Sequence, residues 1–271
     1  MVSQRTGYIE VGAEKLHCIS IGTGPKVLVC FHGYRNNATL FTPFAAYLEK
    51  AYTIVSVDLP HHGKSNWTDH SHMHPRDLVM LIDEIRSRYS VDKVSLLGYS
   101  LGGRVCLKAV ELMPERIDKV LLIASDGLVF NPFYYFVTRT GVGRHIFSSF
   151  LTNPNRFVGV IEWAKRRNLI DASRYRFFMQ YLDSDQERML LLRIWPSMSR
   201  LIPNTKKLKD AIHKFEIPVS IYMGKHDRII PVGLAQQFTK DMKTVKLFIL
   251  DRGHRVFDAE TIPKMAECLL S

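Results

Sequence analysis

In this chain of 271 residues, Ser100 is the residue whose surroundings point most directly to a chemical role. It lies within the sequence GYSLG at 98–102. A short apolar run ends at Gly98, and after Ser100 apolar residues recur at helical spacing, which predicts a strand, a sharp turn and a helix. Small residues allow such a turn, and the residue at its tip projects from the end of the sheet. The new helix also directs unpaired backbone N–H groups and partial positive charge at this tip. The stretch therefore predicts that Ser100 is a nucleophile.

A nucleophilic serine needs a base to accept its proton, and the base needs a carboxylate that fixes its tautomer. Asp227 and His254 follow Ser100 in the order serine, acid, histidine that accompanies this kind of turn. Each of them comes directly after a late predicted strand, within GKHDRIIP at 224–231 and DRGH at 251–254. The sequence thus predicts catalytic roles for Ser100, Asp227 and His254.

Other assignments of these polar residues remain open at this point. Asp227 is also compatible with a turn aspartate that caps the following helix, and His254 with a histidine of a surface loop. Asp126 follows the fifth predicted strand and is a competing acid, although its neighbours indicate a hinge. His226 is adjacent to Asp227, and we interpret it as a bystander.

Negative charge that develops on an attacked carbonyl oxygen needs preorganised hydrogen-bond donors. One predicted donor is the backbone N–H of Leu101, directly after the nucleophile. The other is the backbone N–H of Tyr34, in the turn after the third predicted strand. His32 precedes this turn, and its position indicates a structural hydrogen-bonding residue rather than a base, although it is also a candidate for the substrate pocket.

Length and composition bound the class of protein. A chain of 271 residues with 46% apolar residues suits one α/β domain with an insertion. There is no apolar run of eighteen residues, and the first residues lack a signal-peptide core, so we expect a cytoplasmic protein without a membrane span. The four cysteines have no paired spacing, which favours buried free thiols over disulfide or metal roles.

Apolar strand patterns alternate with helical patterns, and glycine-rich turns follow the strands. This order predicts an edge hairpin followed by a parallel sheet that is covered on both faces. Ligands of such sheets collect at the carboxyl ends of the strands. His32, Asp58, Ser100 and Asp126 all follow predicted strands and should lie along that edge.

Residues 127–215 differ from the rest of the chain. They contain fifteen Lys or Arg and six Asp or Glu, a net of plus nine within a total of plus eleven, and fifteen of the twenty-nine aromatic residues. Strand patterns are absent there, and apolar residues recur at helical spacing. A segment whose charge differs from that of its host is a candidate for a separate role. We interpret it as a helical cap inserted into the α/β domain.

Together these segments resemble the capped serine-hydrolase branch of the α/β-hydrolase superfamily, which includes esterases and carbon–carbon bond hydrolases. The resemblance covers nearly all of residues 8–270 outside the insertion and rests on FHGY at 31–34, DLPHHGKS at 58–65, GYSLGG at 98–103, GKHDRIIP at 224–231 and DRGH at 251–254. It implies an α/β fold with a mostly parallel eight-stranded sheet and helices on both faces. It also implies a core domain of residues 1–126 and 216–271, a cap of residues 127–215, a Ser100–Asp227–His254 triad and no cofactor or metal.

The turn after the fourth strand departs from the family pattern. The family has Asp-x-x-Gly-x-Gly-x-Ser there, and in this chain His61 takes the place of the first glycine. The departure concerns the local backbone and not the triad. A serine at position 100 also sets the chain apart from the dehalogenase and epoxide hydrolase relatives, which resemble this fold and use an aspartate nucleophile.

Three functions are consistent with these residues. The first is hydrolysis of a carboxylic ester or related acyl compound through an acyl-enzyme, and the second is hydrolysis of a carbon–carbon bond in a diketone-like substrate. The third is a ligand receptor or interaction protein on a hydrolase fold, against which the complete set of catalytic residues counts. Candidates for an acyl pocket are His32, Tyr99, Phe133, Tyr134 and Phe178.

The basic, aromatic cap has three interpretations. Its aromatic residues pack the cap on the core while its arginines are solvated, or they line a pocket for a small, anionic acyl substrate. Attachment of the cap to anionic lipid is a third use that we do not favour. The chain has no recognisable nucleic-acid-binding motif, so we expect no nucleic acid partner.

Overall fold

The computed structural model describes residues 4–170, 175 and 184–271. Eight strands form one sheet in the order β1-β2-β4-β3-β5-β6-β7-β8. They are β1 Gln4–Val11, β2 Glu14–Ile21, β3 Lys26–Phe31, β4 Tyr52–Val57, β5 Val94–Tyr99, β6 Ile117–Ile123, β7 Val219–Gly224 and β8 Val245–Leu250. β1 pairs with β2 and β2 with β4 antiparallel, and all other neighbours are parallel. The edge hairpin and the mostly parallel eight-stranded sheet predicted from the sequence are confirmed.

Helices cover the sheet and form the segment between β6 and β7. They are α1 Ala45–Leu48, α2 Pro75–Arg88, α3 Leu101–Leu112, α4 Pro132–Arg139, α5 Gly141–Thr152, α6 Asn155–Arg166, α7 Asp185–Ser197, α8 Thr205–Lys214, α9 Val232–Thr239 and α10 Ile262–Leu270. α3 packs against both α2 and α8, and these three helices form one group. α1 packs against α10, and these two form a second group. The predicted α/β class with helices on both faces is therefore confirmed.

The central strands are apolar throughout because they are covered on both faces. Every residue of β4 and of β5 is buried. Residues Leu28, Leu97 and Leu121 of three neighbouring strands share a buried cluster with Phe41 and Met265 from the α1 and α10 side. Such uninterrupted apolar runs are typical of parallel strands between two helical layers. The core thus holds the carboxyl ends of the strands at one edge of the sheet.

The segment of residues 38–48, between β3 and β4, is not one continuous α-helix. It is a 3-10 helix, Ala38–Phe44, followed by the single turn of α1. Pro43 lies inside the 3-10 helix. Because proline lacks an N–H and its ring conflicts with the carbonyl four residues earlier, a regular α-helix through this position is strongly disfavoured.

The contacts divide the chain into two compact units. The first consists of residues up to Thr68, Met73–Phe130 and Arg200–Ser271, and the second of Asp69–His72 and Asn131–Ser199. The second unit is narrower than the insertion 127–215 predicted from the sequence, because α8 packs on α3 within the first unit. Its described part is helical, and Phe147 stacks on Trp195 with ring centroids 5.3 Å apart. None of the described helices combines the length and the apolar character that crossing a membrane requires.

The turn after β4 is organised around the buried carboxylate of Asp58. It accepts hydrogen bonds from the backbone N–H groups of Ala38 at 2.5 Å and Lys64 at 2.9 Å, and it lies 2.8 Å from Nδ1 of His17. His61 has a φ of +62°, in the left-handed region that favours glycine. The histidine at position 61 therefore adopts a backbone conformation suited to the glycine that the family pattern has there.

Replacement of Gly63 by alanine should destabilise the fold by about 2–4 kcal/mol. Gly63 has a φ of +53°, and a Cβ atom there would collide with the carboxylate of Asp58. His61→Gly lies in the same turn and should change the free energy of unfolding by less than about 1 kcal/mol. Glycine adopts the left-handed conformation of this position without the strain that a histidine has there. Urea denaturation of both variants measures the difference. Equal stability of Gly63→Ala and the wild type would contradict the close packing of Gly63 on Asp58.

Candidate active site

Ser100 lies between β5 and α3 in a strained backbone conformation. Its φ is +50° and its ψ is −115°. A non-glycine residue in such a region costs about 1–3 kcal/mol and persists only where its surroundings hold it. Its N–H donates to the carbonyl of Ile123 at 3.0 Å, and its own carbonyl accepts from the N–H of Asp126 at 3.0 Å. The end of β6 therefore holds the turn in place from both sides.

The glycines around Ser100 allow three backbones to approach closely. A Cβ atom on Gly98 would lie 2.6 Å from Cα of Gly103, which belongs to the first turn of the helix that folds back over the strand. A Cβ atom on Gly102 would collide with the carbonyl oxygen of Phe31 at the end of β3. The strand, the helix and the neighbouring strand could not pack together with larger residues at these positions.

His254 lies between Ser100 and Asp227 and contacts both. Its Nε2 is 3.0 Å from Oγ of Ser100, and its Nδ1 is 2.7 Å from Oδ2 of Asp227. The Asp227 side chain is fully buried, and that of His254 is 19% exposed. Because Nδ1 can donate only as N–H to the carboxylate, this arrangement leaves Nε2 as the acceptor for the serine hydroxyl. The structure thus brings the three residues of the predicted triad together.

Asp227 is held by its own loop as well as by His254. Its Oδ1 accepts hydrogen bonds from the backbone N–H groups of Ile229 at 2.8 Å and Ile230 at 2.9 Å. The predicted bystander His226 instead contacts Oδ1 of Asp251 at 2.6 Å, with both side chains largely exposed. The bonds from Ile229 and Ile230 orient the Asp227 carboxylate towards the histidine ring.

Asp126, the competing acid considered from the sequence, does not contact His254. Its Oδ2 pairs with the guanidinium group of Arg104 on α3, and its Oδ1 accepts from the N–H of Gly127 at 2.6 Å. The sequence motifs did not point to Arg104. The signal that could have identified it is a charged residue in the first turn of a mostly apolar helix.

The two predicted oxyanion donors belong to the first turn of α3 and to the turn after β3. Leu101 is the first residue of α3, where a helix has no internal acceptor for its amide. Gly33, directly before Tyr34, is so close that a Cβ atom on it would lie 3.1 Å from Cβ of Ser100. The turn after β3 therefore runs beside the serine, as a second donor from this turn requires.

Tyr99 packs against the histidine of the site. Its ring lies 5.4 Å from that of His254 and 5.2 Å from that of Phe257, centroid to centroid. Burial, together with the nearby charge of Asp227, raises the pKa of Tyr99 to about 12. The phenol is therefore neutral at physiological pH, and its ring packs against one side of the imidazole.

His32 has the structural role that its position indicated. It is fully buried, its Nδ1 lies 2.8 Å from the carbonyl of Gly33, and its Nε2 accepts from the N–H of Leu59 at 3.0 Å. Burial, followed by the neighbouring His62, lowers the pKa of His32 to about 3. With no exposed surface and both ring nitrogens engaged, His32 has no atom available to line a substrate pocket.

Stability should fall as the pH decreases from about 6.5 towards 4. Burial lowers the pKa of His62 to about 4, and His61 lowers it further against the opposing effects of Pro60 and Asp58. Below about pH 6.5, His62 binds a proton in the unfolded chain but stays neutral in the folded protein. The contribution of neutral His62 to the free energy of unfolding is therefore complete above that pH and is lost as the pH falls towards about 4. His62→Gln should make the free energy of unfolding in urea less dependent on pH between about 4 and 6.5, with the contribution of His32 remaining, whereas exposed His226→Gln should not. Identical pH dependence in His62→Gln and the wild type would contradict this.

The remaining pocket candidates belong to the second unit. Tyr134 is buried, its hydroxyl donates to the carbonyl of Trp195 at 2.8 Å, and its ring packs on that indole. Tyr134 is thus part of the packing of this unit. Phe133 is 49% exposed. Phe178 lies outside the described residues.

The arrangement of these residues is that of a base between a hydroxyl and a carboxylate, at the start of α3 and beside the turn after β3. Within the described residues, no group of three or more His, Cys, Asp or Glu side chains is placed to hold a metal ion. At the carboxyl edge of the sheet, these contacts place Nε2 of His254, a possible proton acceptor, next to the hydroxyl of Ser100.

Comparison with known proteins identifies the class. The family model for the alpha/beta hydrolase fold matches residues 26–260, and the chain belongs to this family. It is 23% identical over 255 residues to the pimeloyl-[acyl-carrier protein] methyl ester esterase of Vibrio campbellii, covering 92% of this chain and 94% of the relative. It is 24% identical over 267 residues to a 2-hydroxy-6-oxononadienedioate/2-hydroxy-6-oxononatrienedioate hydrolase of Burkholderia vietnamiensis, covering 93% and 89%.

A solved structure gives the same fold over the full length. The 2-hydroxy-6-oxo-6-phenylhexa-2,4-dienoate hydrolase from Rhodococcus sp. strain RHA1 superposes with a TM-score of 0.65 at 22% identity, with complete coverage of both chains. The resemblance to the α/β-hydrolase superfamily inferred from the sequence is confirmed.

Proposed function

We propose that this protein is a serine hydrolase that cleaves a carboxylic ester, or a related acyl compound, through an acyl-enzyme. The observation that carries the proposal is the position of His254, whose ring nitrogens lie 3.0 Å from Oγ of Ser100 and 2.7 Å from Oδ2 of Asp227. This is the geometry in which a base can take the serine proton while a carboxylate holds its tautomer. The strained turn presents Ser100 at the start of α3, and we assign the oxyanion donors to the N–H groups of Leu101 and Tyr34.

Acylation begins when Oγ of Ser100 attacks the carbonyl carbon of the substrate. The hydroxyl proton passes to Nε2 of His254, and the carbonyl π electrons move to the oxygen. The N–H groups of Leu101 and Tyr34 hold this oxyanion, and Asp227 stabilises the imidazolium. When the carbonyl re-forms, the bond to the leaving oxygen breaks and His254 donates its proton to that oxygen.

Deacylation repeats these steps with water as the nucleophile. His254 takes a proton from water as the oxygen of water attacks the acyl carbon. The oxyanion of the resulting tetrahedral intermediate accepts hydrogen bonds from the same two N–H groups. Collapse breaks the bond between the acyl carbon and Oγ, and His254 returns the proton to Ser100. The products are the free acid and the regenerated serine.

Carbon–carbon bond hydrolysis is the second candidate function, and the similarity to two dienoate or dienedioate hydrolases supports it. In that reaction the leaving group is a carbanion, stabilised as an enolate, which must be protonated at carbon. The triad and the oxyanion donors would serve both reactions. The similarity to a methyl ester esterase at comparable identity supports the ester reaction.

Mass spectrometry of the intact protein after treatment with a fluorophosphonate tests the nucleophile. We expect a single adduct on the wild type, its loss in Ser100→Ala and its retention in Ser95→Ala. Ser95 is a matched control because it is a buried serine on the same strand, β5. An adduct that persists in Ser100→Ala would place the reactive residue elsewhere. No adduct on the wild type would favour a ligand receptor on a hydrolase fold.

A substrate panel separates the two reactions. A series of p-nitrophenyl esters with acyl chains of increasing length reports ester cleavage, and a vinylogous 1,5-diketone reports carbon–carbon cleavage through loss of its dienolate absorbance. Higher kcat/KM on the esters supports the first function. Higher kcat/KM on the diketone would favour the second.

A further inference from the structure

The carbonyl oxygen of Ser100 accepts two backbone hydrogen bonds, one from Gly103 at 2.9 Å and one from Asp126 at 3.0 Å. The first belongs to the start of α3, and the second comes from the segment that follows β6. A peptide unit is planar, so its C=O and N–H point in opposite directions. The hydrogen bond from Asp126 therefore also fixes the direction of the Leu101 N–H, one of the two proposed oxyanion donors.

The segment that follows β6 is itself in a strained conformation. Ala124 is a non-glycine residue with a φ of +44°, and Gly127 has a φ of +86°, which glycine adopts readily. Such a backbone persists only where surrounding groups hold it. Two bonds do so locally: Oγ of Ser125 donates to the carbonyl of Asp126 at 2.9 Å, and the N–H of Gly127 donates to Oδ1 of Asp126 at 2.6 Å. Asp126 thus takes part in both bonds, in one through its carbonyl and in the other through its carboxylate.

Arg104 connects this turn to the helix that begins after Ser100. Its side chain is 7% exposed, and its Nη2 donates to Oδ2 of Asp126. A Cβ atom on Gly127 would lie 3.0 Å from Cα of Arg104, so the turn packs directly on α3. Charge-assisted bonds between guanidinium and carboxylate are among the stronger hydrogen bonds in proteins. The contacts form a closed ring from Ser100 through α3 to Arg104, Asp126 and back to Ser100.

We propose that Arg104 and Asp126 are positioning residues that hold the Ser100–Leu101 peptide in the orientation needed for oxyanion binding. The inference rests on the proposed function, because this orientation matters for catalysis only if the Leu101 N–H binds the oxyanion. Neither side chain touches the reacting atoms. Their effect is on transition-state binding and not on substrate binding.

Kinetics of Arg104→Met and Asp126→Asn test the proposal. We expect kcat for a p-nitrophenyl ester to fall about 10- to 100-fold, less than complete loss of an oxyanion donor, with KM within about twofold. Affinity for 1,1,1-trifluorooctan-2-one, whose serine adduct carries an oxyanion, should fall by the same factor. The pH profile of kcat/KM should keep its midpoint, because His254 and Asp227 are unchanged. The double variant should be no slower than Arg104→Met.

Lys108→Met is the matched control. Lys108 lies one turn further along α3 and pairs with Glu111 at 2.9 Å, with side chains 10% and 9% exposed. This variant removes a comparably buried ion pair from the same helix without contact to Asp126. It should lose stability in urea while kcat and the affinity for the ketone stay within about twofold of the wild type. Asp126→Asn, which keeps the shape of the side chain, guards against a fold defect in Arg104→Met.

Two results would overturn the inference while leaving the proposed function intact. In the first, the wild type turns over the ester, and Arg104→Met and Asp126→Asn are both folded and have the same kcat and the same affinity for the ketone as the wild type. The other is an equal loss of kcat in Lys108→Met, which would indicate a general defect of the helix. Absence of turnover and of a fluorophosphonate adduct on the wild type would overturn the proposed function and the inference together.

Discussion

Ser100→Ala should lower kcat for ester hydrolysis by about 10⁵- to 10⁶-fold, because loss of a nucleophile removes the acyl-enzyme route altogether. The side chain projects from a turn in which the histidine nitrogen lies 3.0 Å away, and no other hydroxyl occupies that position among the described contacts of His254. Steady-state rates with active-site titration measure the effect and detect contaminating wild type. A loss below about 100-fold would show that another group supplies the nucleophile.

The backbone at Ser100 adds a second expectation for the same position. Because φ is +50°, alanine keeps the strain of the turn and glycine relieves it. Ser100→Gly should therefore be more stable in urea than Ser100→Ala by about 1 kcal/mol, although both are inactive. Equal stability of the two variants would indicate that the turn is held without cost.

Asp227→Asn should lower kcat by about 10⁴-fold, the second largest effect that we expect. An amide in place of the carboxylate would donate to Nδ1 of His254 and favour the tautomer in which Nε2 carries the proton and cannot accept it from Ser100. The amide oxygen can still accept the bonds from Ile229 and Ile230, so the loop should keep its conformation. Circular dichroism and urea denaturation check the fold, and the kcat/KM profile with pH reports the base.

Asp126→Asn is the matched comparison for this prediction. Asp126 also follows a strand at the same edge of the sheet, but it pairs with Arg104 and not with His254. The fold decrease in kcat for Asp126→Asn should therefore be at least about 100 times smaller than that for Asp227→Asn. If the two variants lost equal activity, the assignment of Asp227 as the sole triad acid would be wrong.

Much of the site could be placed from the sequence because each residue follows a strand with turn chemistry around it. GYSLGG at 98–103 specifies both a serine and the absence of bulk that its turn needs, and the structure shows that Gly98 and Gly102 lie where side chains would collide. The order and the positions of Asp227 and His254 follow from parallel strands that end at one edge. Local pattern and sheet topology agree here, so the geometry was predictable.

Other features depend on contacts that no local pattern contains. The pairing of Arg104 with Asp126 joins a helix to a turn 22 residues further along the chain. The assignment of α8 to the first unit depends on its packing against α3, which its amphipathic pattern alone does not specify. The 3-10 helix over Ala38–Phe44 shows the opposite case, since Pro43 was a visible local signal against an α-helix.

The position of the insertion between β6 and β7 has a consequence for how the protein assembles. Val120 pairs with Val219, about a hundred residues away, whereas Lys26 pairs with Tyr52 at about a quarter of that separation. Closing the longer loop costs about 1 kcal/mol more in chain entropy. Strands β1 to β6 can pair before β7 and β8 arrive, and Ser100 lies on the early side of this join while Asp227 and His254 lie on the late side. During refolding, the appearance of enzymatic activity would thus mark the last long-range step.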